Sequence, residues 1–208
     1  MNAHTKETQD QMTPVLSLEV LKKGNKRFIA NQKAPRDLMQ QVAETSKGQY
    51  PFATVLSCID SRVSSELIFD QGIGDLFSIR IAGNFVNEDI LGSMEFACKL
   101  AGTKLVVVLG HTACGAVKGA CDHARLGNLT ALIKKIEPAV AAVKEPEEAS
   151  LRNSSNLDFV NEVAVKNVLM TIDQIRNESS VLAEMEKKGE IHIVGGMYNI
   201  DSGEVNFF

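Results

Sequence analysis

Apolar and polar positions along the chain alternate between two rhythms. Three short, nearly continuous apolar runs, Phe52-Ala53-Thr54-Val55-Leu56, Leu76 to Ile81 and Leu105-Val106-Val107-Val108-Leu109, read as strands covered on both faces. Around them, apolar residues recur at helical spacing. Ser17 is placed to cap a helix from about Leu18 to Ala30, and a connection through Pro35 leads to a helical stretch around Leu38 to Glu44. Ser64 or Ser65 starts a short helix over Glu66 to Asp70, and Asn87 to Asp89 opens another that carries Met94 and Phe96 and closes at Gly102. Gly115 to Arg125, Leu129 to Glu137 and Asn156 to Asn177 are predicted helices, with a solvated charge run, Lys144-Glu145-Pro146-Glu147-Glu148, between the last two. Ile191 to Val194 is a further strand. The turn signal Asp201-Ser202-Gly203 leads into Val205 to Phe208, which forms a hairpin or extends the sheet.

Strands alternating with helices predict an α/β fold: a parallel sheet joined by right-handed crossovers, helices on both faces, and a helical N-terminal arm over about residues 14–45. At 208 residues, one domain covering 1–208 is the expectation. Hydrophobic residues at 44% and charged residues at 23% exclude a disordered chain, and a net charge of -4 offers nothing to nucleic acid or an acidic membrane surface. No apolar stretch approaches a bilayer span, and the polar stretch Met1 to Thr13 lacks a secretory h-region, so a cytoplasmic protein with no membrane partner is expected.

Four cysteines, at 58, 98, 114 and 121, suit metal or catalysis better than disulfides in that setting. Cys98 and Cys121 lie in helical patterns and are expected to pack as small hydrophobes. Cys58 and Cys114 differ, because each sits just past an apolar strand, as does His111. The segments are Ser57-Cys58-Ile59-Asp60-Ser61-Arg62-Val63 and Gly110-His111-Thr112-Ala113-Cys114-Gly115. Two thiolates and an imidazole make a Cys2His zinc site with a fourth position left for chemistry. Neighbouring strands are about 4.8 Å apart, so ligands following the first and third strands require those strands to be adjacent, giving a sheet order that begins 2-1-3. His111 and Cys114, three apart, are expected on one face of the first turn of a helix. Zinc neutralised by two thiolates is a modest Lewis acid, so the site needs help nearby, and Asp60 held by Arg62 is placed to give it. The competing arrangement is a closed structural site in which Asp60 is the fourth ligand. His4, His123 and His192 have no paired ligands in the sequence.

With these residues in hand, the chain resembles the β-class carbonic anhydrases over nearly its whole length. The family's C-x-D-S-R-V segment stands as Cys58 to Val63, and its G-H-x-x-C-G segment as Gly110 to Gly115; further similarity lies in Asp75 to Arg80 with Ala82-Gly83-Asn84, and in Val194 to Tyr198. The resemblance implies one Zn2+ on Cys58, His111 and Cys114, the catalytic pair Asp60 and Arg62, and a substrate pocket of Gln49, Phe77, Phe96 and Gly115. It implies reversible hydration of CO2 to bicarbonate and a proton by zinc-bound hydroxide, in a dimer or tetramer with the N-terminal arm reaching across. Two alternatives share the ligands: a hydrolase of CS2 or COS, and a non-enzymatic closed site serving as a sensor or store. Two positions depart from relatives. Val55 stands where some have the tryptophan of a regulatory bicarbonate pocket, which Arg80 would otherwise match, and Ile81 stands where asparagine is usual.

Overall fold

A computed structural model describes residues 2–208. Its centre is a five-stranded sheet in the order β2-β1-β3-β4-β5. The strands are β1 (Ala53–Ser57), β2 (Leu76–Arg80), β3 (Leu105–His111), β4 (His192–Tyr198) and β5 (Val205–Phe207). The first four run parallel, and β5 returns antiparallel to β4, so the tail is both a hairpin and an extension of the sheet. The expected 2-1-3 beginning is therefore the observed one. β1 and β3 are buried at every residue, which is why their sequences are apolar on both faces. β2 forms the edge and alternates between sheltered and exposed positions.

Nine helices surround the sheet among the described residues: α1 (Lys6–Asp10), α2 (Pro14–Ile29), α3 (Leu38–Thr45), α4 (Ser65–Ile68), α5 (Glu88–Glu95), α6 (Gly115–Cys121), α7 (Leu129–Ala142), α8 (Leu157–Glu178) and α9 (Ser180–Lys187). Alternate strand residues face opposite ways. Leu56, Val106 and Val108 pack with Ile90 and Met94 of α5, Val168 and Ile172 of α8, and Leu182 of α9. On the other face Val55, Val107 and Leu109 pack with Leu21 of α2, Ile68 of α4 and Phe69. A third cluster joins α6, α7 and α8 around Cys58 and Cys114 at the C-terminal edge of the sheet. No helix among the described residues is long and apolar enough to cross a membrane.

Several boundaries differ from the sequence expectation, each for a local reason. The second helix starts at Pro14 rather than Leu18, because Thr13 accepts from the N–H of Leu16 and proline suits the first turn; Ser17 is fully buried within the helix. The polar N-terminus is not featureless, since Thr5 and Thr8 form a reciprocal cap on α1. Gln9 of α1 then donates to the carbonyls of Pro51 and Ala101, both at 2.8 Å, beneath the sheet. The helix expected to reach Arg125 stops at Cys121, and His123 beyond it takes a left-handed conformation, φ 51°. The helix after Asn87 widens into a π-turn at Phe96–Leu100 before Gly102 ends it, and Ser179 caps an unexpected α9.

Polar contacts and close backbone approach together seat α2 on its own chain. A Cβ at Gly24 would stand 1.8 Å from the carbonyl oxygen of Phe69, so only glycine permits this contact between α2 and the end of α4. Asn25 donates to the carbonyls of Ile68 and Gly203 and accepts from the N–H of Val205 at 2.9 Å. Asp70, in a left-handed conformation after α4, receives Arg27, Arg36 (2.6 Å) and the N–H of Ala34 (3.0 Å). Burial pushes its carboxyl up, but the hydrogen bonds from Arg27, Ala34 and Arg36 outweigh that and leave its pKa below the ordinary value.

Asp70→Ala removes the carboxylate on which both guanidinium groups converge and is expected to cost roughly 3–5 kcal/mol in urea unfolding. Because the folded pKa is depressed, this stabilisation is present above the unfolded value and disappears as pH falls through the folded one. The difference between wild type and Asp70→Ala should therefore shrink as pH drops below about 4. A difference that persists unchanged into acid would contradict the assignment.

Candidate metal centre

Parallel pairing sets the site. Ser57 of β1 lies opposite Leu109 of β3, so the residue after β1 emerges beside the end of β3. The next residue on one side is Cys58, and two further along the other is His111. Cys114 follows a two-residue turn and is the N-cap of α6. His111 is thus the last residue of a strand, and it does not share a helical face with Cys114 as their spacing suggested. The reversal between them is accomplished by Ala113 at φ 53°, a left-handed conformation in which a side chain is strained.

The three ligand atoms lie within 4.8 Å of one another, and all three residues are buried. The sulfurs of Cys58 and Cys114 are 3.9 Å apart. Two sulfurs bound tetrahedrally to one ion at about 2.3 Å would stand roughly 3.8 Å apart, so the spacing fits zinc. His111 Nδ1 donates to the Thr112 carbonyl at 2.9 Å, which fixes the tautomer and leaves Nε2 as a lone pair. That Nε2 is buried without a protein partner. The contact between the two thiols pushes Cys58 down and Cys114 up, with burial opposing the first shift and adding to the second. A metal binds both as thiolates, and a cation between them would favour that ionisation.

Asp60 is paired with Arg62. Its Oδ1 accepts from the Arg62 backbone N–H (3.0 Å) and Nε (2.9 Å), and its Oδ2 accepts from Nη2 (2.8 Å). The Arg62 side chain holds the carboxyl well below the usual carboxylate range. Cys98 and Cys121 sit in the core as expected, and burial raises both to about 11.

The remaining expected site residues are distributed more widely. Gly115 begins α6 beside Cys114, exposed, with nothing within 4 Å of where a Cβ would be. Phe77 and Phe96 meet edge to face at 6.3 Å and line an open groove of about 570 Å³ with Gly92 and Ser93. Gln49 is exposed on the connection between α3 and β1. That is the end of the sheet opposite Cys58, and a five-residue strand spans about 16 Å.

Two residues that sequence reasoning missed belong to α8. Asn161 Oδ1 accepts from the N–H of Ala113 at 2.9 Å and so holds the strained turn before Cys114. Asn167, 4% exposed, donates to the Gly83 carbonyl at 2.8 Å. The N–H of Gly83 in turn points at Cys58 Sγ, 3.4 Å away. Gly83 has φ 80°, and a Cβ there would collide with Ile136. A buried asparagine on the apolar face of a long helix was the available signal. Asn161→Ala and Asn167→Ala are each expected to weaken zinc retention roughly 10- to 100-fold in competition with a chromophoric chelator. Wild-type retention in both would remove α8 from the site.

A family model described as carbonic anhydrase matches residues 53–205. Carbonic anhydrase 2 of Mycobacterium tuberculosis is 35% identical over 196 residues, covering 91% of this chain and 90% of that protein. A carbonic anhydrase of Mycolicibacterium smegmatis is 34% identical, covering 92% of each. Among solved structures, the β-carbonic anhydrase CafA of Aspergillus fumigatus superposes with a TM-score of 0.69 at 27% identity, over 80% of this chain and 79% of that one.

Proposed function

The chain belongs to the β-class carbonic anhydrase family and is a carbonic anhydrase, and from that premise we propose that Cys58, His111 and Cys114 hold one zinc ion at which CO2 is reversibly hydrated to bicarbonate and a proton. The observation that carries the zinc assignment is the pair of sulfurs 3.9 Å apart beside a buried, unpartnered His111 Nε2. Zinc bound there would act as a Lewis acid that makes water nucleophilic near neutral pH.

The protein's own contribution is orientation. A carboxylate offers about four lone-pair positions, and Arg62 occupies three of those on Asp60, two at Oδ1 and one at Oδ2. The remaining one, at Oδ2, is fixed in direction and accepts an O–H from reacting water. A carboxylate with so low a pKa is a weak base, so Asp60 aims the water by accepting a hydrogen bond, and the water's proton leaves to buffer. The same bidentate pair favours an open site over a closed one, because a carboxylate committed to Arg62 is not available as a permanent fourth ligand. Open space at Gly115 supports approach of a small linear substrate from the α6 side.

Gln49, Phe77 and Phe96 are assigned to a substrate pocket completed by a second copy of the chain. Their placement away from Cys58 within one chain supports this, as do the exposed apolar side chains of Ile73, Leu100, Leu38 and Met39. Four cysteines free of disulfides, two of them needed as thiolates, support a reducing, cytoplasmic location.

Stopped-flow CO2 hydration with zinc analysis on the same samples tests the mechanism. Asp60→Asn and Arg62→Ala are expected to lose roughly 10- to 100-fold or more in kcat while keeping zinc, and Cys114→Ala to lose the metal. Full activity in Asp60→Asn would remove Asp60 from the reaction. Sedimentation equilibrium should show a dimer or larger; a fully active monomer would remove the shared pocket.

A further inference from the structure

Arg80 is the last residue of β2, opposite Ser57 in the parallel register, on the exposed edge of the sheet. Its guanidinium does not face solvent idly. Nε donates to the carbonyl of Cys58 at 3.1 Å and Nη2 donates to the carbonyl of Asp60 at 2.7 Å. One rigid fork therefore grips the backbone on both sides of Ile59, which is itself exposed. The Asp60 carbonyl also accepts from the N–H of Val63 at 2.9 Å, so Arg80 anchors the turn that brings Arg62 round to the carboxylate. Beyond Arg80, the N–H of Ile81 closes the last rung to the Ser57 carbonyl, and the N–H of Gly83 reaches Cys58 Sγ. The end of β2 and the turn after it thus hold the Cys58 segment at four successive points.

We propose that Arg80 is a positioning residue for the hydration reaction: by clamping the carbonyls of Cys58 and Asp60 to the sheet edge it fixes the direction of the water-orienting carboxylate. This rests on the proposed function above. Without the clamp, residues 59–62 lose their link to the sheet edge, and Asp60 samples orientations in which its free lone pair no longer faces the reacting water. The effect is expected on the chemical step, because both hydrogen bonds of Arg80 go to the Cys58–Asp60 backbone and Arg80 does not line the groove at Phe77 and Phe96.

The test compares wild type, Arg80→Ala and Arg80→Lys as purified, measuring kcat and KM for CO2, zinc content, thermal stability and amide exchange of residues 58–63. Arg80→Ala is expected to lower kcat roughly 10- to 100-fold with KM, zinc content and melting temperature unchanged, and to speed exchange at the amides of Arg62 and Val63. Arg80→Lys, able to reach one carbonyl only, should fall between, and it decides alone if Arg80→Ala does not fold. Wild-type kcat or wild-type exchange in the variants overturns the clamp. So does a loss of kcat matched by loss of zinc and melting temperature with no recovery in Arg80→Lys, which would make Arg80 a mere structural support. Wild-type protein that lacks zinc or does not hydrate CO2 would instead overturn the proposed function.

Discussion

Opposing Ser57 to Leu109 is the pairing on which the rest of the site depends. A parallel ladder in this register delivers Cys58 and His111 to the same edge of the sheet from strands separated by about fifty residues of chain. Side chains alternate with period two, so a slip of one residue would turn Leu56, Val106 and Val108 away from α5 and α8. The register is thus fixed by apolar burial over the body of the strands, and the ligands inherit their position from it. The chemistry is located by a core that has no chemical role.

At that edge the balance of forces changes. Burying an imidazole nitrogen and two sulfurs with few donors is costly unless a cation shares them. The protein invests its hydrogen bonds one step further out: Thr112 to His111 Nδ1, Gly83 to Cys58, Asn161 to the turn before Cys114, Asn167 to Gly83. The three side chains are held in place while His111 Nε2 is left without a protein partner. Asp60 receives the opposite treatment, with Arg62 saturating all but one of its acceptor positions. In the proposed mechanism, a carboxylate occupied in this way would leave the metal's remaining position accessible.

The N-terminal helices show how a segment can serve two surfaces. The inward face of α2 is committed to its own chain by Gly24, Asn25 and the Asp70 cluster. Val15, Leu16 and Ile29 remain outward, 44–63% exposed, and Leu38, Met39 and Val42 of α3 are exposed too. Exposed apolar side chains of this kind are what an assembly interface would cover.

Residue types and periodicity alone determined the α/β class, the three leading strands and their order, and the three residues that meet at the candidate metal centre, because these depend on short-range pattern and on the few side chains able to bind a metal. Cys58-Ile59-Asp60-Ser61-Arg62 carried its own pairing, since Asp60 and Arg62 are close enough in the chain to meet whatever the fold. What only the tertiary structure decided involves partners distant in sequence. Ala113 adopts a left-handed turn, and not a helical one, because β3 runs on through His111 and Asn161 waits 48 residues later to hold the reversal. Gln9 orders a polar tail by donating to the carbonyls of Pro51 and Ala101, 42 and 92 residues away in the chain. Arg80 grips the Cys58 segment because β2 pairs in parallel with β1. Local pattern encodes which residues can do chemistry; the packing of strands and helices supplies the hydrogen bonds that aim them.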